Sequence, residues 1–159
     1  MAAEFIINTE HETVLSYAWG VLTLADIKDH RIRLLQHTGY NAKFRQIIHL
    51  ADAESIELTS KQIYSLAQEP LFSSQSRRAI VAAPLLHFGL SRIFHAYSDS
   101  QTVHVFRQLG EAAGWVYLPE KVAEKSFEEI RQGHELSGLQ RANEKHQEED
   151  PERQGEQQQ

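Results

Sequence analysis

RAIVAAPLLHFGLSRIFHAY, residues 78–97, is the stretch on which the fold turns. Residues 79–83 are an unbroken apolar run. Such a run, with no polar alternation, predicts a strand covered on both faces. Pro84 follows at once, where its missing N–H costs nothing at the first position of a helix. Leu86, Leu90, Ile93 and Tyr97 then line one helical face, joined by Phe94. Gly89 lies among them and allows close approach to a sheet. A buried strand running straight into an amphipathic helix is half of a βαβ unit.

The flanking sequence repeats this grammar. Residues 102–106 predict a last strand, and 111–116 a short final helix. Upstream, residues 44–50 predict a strand entered through Arg45, followed by an irregular stretch over 51–58. Thr59 or Ser60 caps a short helix carrying Ile63, Leu66 and Ala67, which Pro70 closes. Thr23 is the N-cap of an earlier helix with Asp26 at N3. Leu24, Ile27, Arg31 and Leu34 recur in it at helical spacing until Gly39. Residues 5–8 and 13–19 bracket the polar segment 9–12 and predict a hairpin. The order is ββαβαβαβα, which predicts an α/β domain with a mixed, mostly parallel sheet.

The 159 residues carry a formal net charge of −6 and no cysteine. That length suits one domain with a modest extension. The lack of cysteine excludes a disulfide framework, a thiol nucleophile and thiolate-ligated metal centres. MAAEFIINTEHE, residues 1–12, has neither a basic n-region nor an apolar h-region, and no apolar run approaches a bilayer span. A cytoplasmic protein without stable membrane insertion is expected. Residues 121–159 hold 6 basic against 10 acidic residues, so most of the net charge lies there. Residues 1–119 are expected to form the domain, 120–139 a helical extension around Val122, Phe127 and Ile130, and 140–159 a disordered acidic and glutamine-rich tail.

Motifs for chemistry are sparse. The nine histidines are scattered; His30 and His37 are seven apart, and His87 and His95 eight. No His-Glu-x-x-His pair, Walker A loop, Rossmann fingerprint or Gly-x-Ser-x-Gly elbow occurs. No catalytic residue, metal site or cofactor is therefore assigned. The places where an uncharacterised enzyme would gather its groups are His49 with Asp52, and Arg92 with His95. Arg77 and Arg78 read most simply as a solvated strand entrance, and acidic residues interleave the basic ones, which argues against nucleic acid as a partner.

Two segments carry a family resemblance: residues 78–97, quoted above, and VHVFRQLGEAAGW, residues 103–115. The Ala-Ile-Val strand, the phenylalanine and glycine leading an aromatic helix, and the Val-Phe strand followed by Glu-Ala and Trp resemble the SpoIIAA-like family. That family is related to STAS domains and to CRAL-TRIO lipid-binding folds. The resemblance implies helices packed mainly on one side of the sheet. In anti-sigma-factor antagonists of the STAS type, a serine opening the helix after the strand matched here by 44–50 is phosphorylated. Ser60 is the nearest positional match, with Thr59 where those proteins have aspartate.

The resemblance and the residues together imply a non-enzymatic regulatory or protein-interaction domain that binds a partner protein or itself, as a homodimer. Tyr64, Phe72 and Phe88 are the aromatic anchors for such a contact. The alternative is a carrier of a small apolar or lipid-like ligand, with Leu85, Leu86, Phe88, Phe94 and Tyr97 lining its pocket. The same stripe serves equally well as core packing.

Overall fold

The polar segment 9–12 turns the chain back on itself. Asn8 Oδ1 accepts from the His11 N–H at 2.9 Å, and Glu12 takes a φ of 51°. The turn joins strand β1 (Ala3–Asn8) to strand β2 (Thr13–Thr23), which pair antiparallel. The computed structural model describes residues 2–86, 89 and 102–148. Among these the remaining elements are helix α1 (Leu24–Gln36), strand β3 (Arg45–Glu57), helix α2 (Ser60–Gln68), strand β4 (Arg78–Ala82), strand β5 (Val103–Phe106), helix α3 (Leu109–Trp115) and helix α4 (Glu120–Glu148). Residues 84–86 are helical, so Pro84 does open a helix; residues 90–97 lie outside the described residues.

The five strands form one sheet in the order β1-β2-β3-β4-β5, and β2 to β5 run parallel. A parallel sheet that grows in one direction through right-handed crossovers places its crossover helices on one face. α1 and α2 share that face. α3 and α4, which follow the last strand, cover the opposite one, an arrangement that the sequence alone does not indicate.

Strand alternation sorts the side chains accordingly. Leu15, Ile47, Ala79 and Val81 join Ala112, Val116, Ala123 and Phe127 in the core beneath α3 and α4. Leu22, Leu50, Ile80 and Ala82 form a second cluster on the α1 face, and Val14, Leu34 and Phe72 a third.

Both predicted caps form. Thr23 Oγ1 accepts from the Asp26 N–H, and Asp26 Oδ2 accepts from the Thr23 N–H at 3.0 Å. Thr59 and Gln62 make the same reciprocal pair at the start of α2. Each box satisfies two N–H groups that a bare helix start would leave unpaired.

Two elements depart from the sequence reading. β3 continues to Glu57 instead of giving way to irregular chain, because the long β2 pairs with it as far as Thr23 against Glu57. Asp52, Glu54, Ser55 and Glu57 obscure the strand in sequence because they stand exposed. α4 runs as helix to Glu148, past residue 139. Its first half belongs to the core: Phe127 is 2% exposed and Ala123 fully buried. The packing therefore draws on residues beyond the boundary expected at 119.

Candidate functional site

The α1 face of the sheet is not filled. A cavity of about 270 Å³ lies between α1, α2 and strands β2 to β4. Ile48, Leu50 and Ile80 floor it, and Ile27, Ile63 and Leu66 close it from the helices. α2 contributes this apolar wall without a single buried residue of its own. The two reciprocal hydrogen bonds of its N-terminal capping box hold it as a helix, while its packing onto the sheet is left incomplete.

One end of the cavity is polar, and the sheet register explains why. Val14, Gln46 and Arg78 are register partners, and Ser16 pairs with Ile48 one pleat further along the same face. Gln46 Nε2 donates to Ser16 Oγ at 3.1 Å, and His30 Nε2 from α1 lies 3.0 Å from the same oxygen. Burial, with the Arg33 charge adding to it, pulls the His30 imidazole from 6.5 to about 4, so the ring is neutral at pH 7. Arg31 and Arg78 also line this end. Burial lowers the Arg78 pKa from its usual value, and the charge of Arg31 lowers it further. Arg31 donates to the Glu69 carbonyl at the end of α2, which ties α2 to α1. Among the described residues lining the cavity there is no carboxylate.

The opposite face carries a second polar cluster. Tyr17 donates to Asp52 Oδ2 at 2.6 Å, and Arg131 from α4 donates to the same oxygen at 3.2 Å. The Tyr17 hydrogen bond holds the Asp52 carboxyl below its ordinary value. Desolvation first, then the hydrogen bond to Asp52, raises Tyr17. Around them His49 lies against Phe127 at 4.9 Å between ring centres, and Trp19 lies against His134 at 3.9 Å with the rings tilted. At the other end of the sheet, the Arg77 guanidinium lies 4.0 Å from the Trp115 ring centre and 4.7 Å from that of Tyr117. Arg77 is thus packed in an aromatic stack, where the sequence suggests a solvated strand entrance.

The structure separates the residues singled out in the sequence. His49 and Asp52 share no hydrogen bond: the carboxylate serves Tyr17 and Arg131, and His49 Nδ1 is buried without a partner. Burial lowers the His49 pKa. Arg92 and His95 lie outside the described residues. Among the described residues no three His, Asp or Glu side chains gather as a metal site. Ser60 is the exposed first residue of α2, and Tyr64 on the same helix is 48% exposed. Phe72 is 3% exposed and packs with Val14 and Leu34, so it is a core residue and not a surface anchor. Leu85 is 94% exposed, and Leu86 packs against the Leu22–Ile80 cluster. Phe88, Phe94 and Tyr97 lie outside the described residues. The cavity found under α2 is lined by neither Leu85 nor Leu86.

Ser16, His30 and Arg78 were not singled out as a site from sequence. Their signal is a polar residue at a position that the strand or helix period turns inward, and it becomes readable only once the register is known.

No family model matches the chain, and no curated protein matches it. Solved structures do. One is an uncharacterized protein from the DUF3478 family with a SpoIIAA-like fold, from Shewanella loihica PV-4. It has 17% identity and a TM-score of 0.53, over 72% of this chain and 94% of that one. Another is the anti-sigma factor antagonist SpoIIAA in its unphosphorylated form, with 14% identity and a TM-score of 0.48, over 70% of this chain and 94% of that one. The first of these likenesses shows that the chain has the SpoIIAA-like fold. No helix among the described residues is long and apolar enough to cross a membrane.

Proposed function

We propose that this chain is a non-enzymatic regulatory domain that acts by binding a protein, with α2 as its contact element. The observation that carries this reading is the state of α2. The helix is capped at its start and tied at its end, buries none of its residues, and presents Ser60 and Tyr64 outward. A helix held in this way can be engaged or displaced at little cost to the core. The resemblance to STAS-type antagonists points to the same element, because their modified serine opens the corresponding helix. Phosphorylation of Ser60 adds about −1.5 to −2 charges at a helix N-terminus, where the backbone dipoles favour negative charge.

Native mass spectrometry of the full chain, gently purified from its own cells, tests the reading. The expected result is a complex of defined protein stoichiometry, at twice the chain mass if the partner is a second copy. Tyr64→Arg is expected to dissociate it while circular dichroism shows the fold retained. A strict monomer at micromolar concentration overturns it. Intact-mass measurement on the same sample tests the modification, and an absent phosphate adduct removes Ser60 from the mechanism.

A further inference from the structure

The cavity under α2 has a chemistry that core packing does not explain. Its walls are isoleucine, leucine and alanine, and a void among such side chains forfeits contacts that a filled core would make. Yet two arginines, Arg31 and Arg78, line it. Arg78 is partly buried at the start of β4, and among the described residues no carboxylate pairs with it. Uncompensated positive charge beside apolar surface is costly to retain. A guanidinium presents a planar fork of donors that matches a carboxylate or phosphate. His30, neutral at pH 7, and Ser16 add hydrogen-bonding capacity at the same end without adding charge.

We infer that this cavity binds a small amphipathic anion, its oxyanion group paired with Arg78 and Arg31 and its short apolar chain lying between the β2–β4 floor and the α2 wall. The volume sets the size. About 270 Å³, at roughly 30 Å³ for each water-sized group, holds about nine non-hydrogen atoms. That corresponds to a medium-chain carboxylate or a short-chain alkyl phosphate. The ligand replaces the missing contacts under α2 and supplies a counter-charge to the two arginines. This inference goes beyond the protein-contact reading of α2 and stands on different residues.

Titration of the full chain, methyl-labelled at isoleucine, with sodium octanoate tests it by nuclear magnetic resonance. Saturable shifts are expected at Ile48, Ile63 and Ile80. 1-Octanol, which has the tail without the charge, is expected to bind at least tenfold more weakly, as is inorganic phosphate, which has charge without tail. Arg78→Gln is expected to lose at least tenfold in octanoate affinity and to leave octanol binding unchanged. Pentyl phosphate, matched to octanoate in overall size, run beside it separates the two oxyanion sources, since the tighter one identifies the head group. Absence of saturable shifts overturns the inference, as do shifts centred on Ile130 across the sheet, or equal affinity for octanol and octanoate. The octanol comparison uses the unaltered chain, so it decides the matter even if Arg78→Gln fails to fold. The subunit mass read by native mass spectrometry is a separate observable, so either reading can fail without the other.

Discussion

His30 on α1 and Ser16 on β2 meet at 3.0 Å beneath the helix layer, fourteen residues apart in sequence. The contact is made by an imidazole that burial keeps neutral, and a pH dependence of stability follows. The folded state binds the His30 proton at about 4, whereas the unfolded chain binds it near 6.5. Between those values the unfolded state holds more protons, so stability rises with pH across that window and is complete above it. Acidification from pH 7 to 5 is expected to cost about 2 kcal/mol, and His30→Gln to remove most of that slope. Urea denaturation at a series of pH values measures both. His49, also lowered by burial, adds a slope of the same sign.

The Tyr17–Asp52 hydrogen bond predicts a second titration. Its effect on Asp52 is to lower the carboxyl, so the stabilisation is present above the unfolded value and is lost as pH falls through the folded one. Tyr17→Phe is expected to shift the Asp52 carboxyl upward, read by carbon-detected magnetic resonance. The cost in stability is expected to be about 1 kcal/mol, less than for a buried charged pair because Asp52 is exposed to solvent.

Phe127 is expected to behave as a core residue of the domain, although it lies on α4. It is 2% exposed among Ile47, Val81 and Val116. Phe127→Ala is expected to cost about 3–5 kcal/mol by chemical denaturation. Leu136, on the same helix and 61% exposed, is expected to change stability by less than about 0.5 kcal/mol when replaced by alanine. Equal effects at the two positions would contradict the packing described.

The α2 cap predicts a local effect. Thr59→Ala removes the hydroxyl that accepts from the Gln62 N–H and is expected to weaken the helix by about 1 kcal/mol. Because α2 has no buried residue, the loss is expected as faster amide exchange confined to residues 60–68, with the global melting temperature nearly unchanged. A fall in global melting would show that α2 is part of the cooperative core.

Much of the architecture is legible in the chain because local physics sets it. The apolar run from Ala79 to Ala82 is a strand covered on both faces, and Thr23 with Asp26 is a capping box in sequence and in space. Pro84 opens a helix, and residues 9–12 turn a hairpin. Each of these follows from neighbours within a few residues, where backbone sterics and side-chain period act directly. The second half of β3 is not legible, because its residues are polar and its strand character comes from pairing with β2.

The candidate site lies on the other side of that line. The sequence by itself determined the order of elements, the inward stripes and the helix starts, since those depend on short-range geometry. It also supplied Ser60 and Tyr64 as members of one short helix. Only the tertiary structure decided that α2 stands off the sheet, that Ser16, His30, Arg31 and Arg78 converge under it, and that α4 delivers Phe127 to the far face. Convergence of residues from two strands and a helix depends on register and crossover hand. A one-residue slip in register would turn Ser16 and Arg78 to the opposite face, and no local pattern in the sequence specifies that choice.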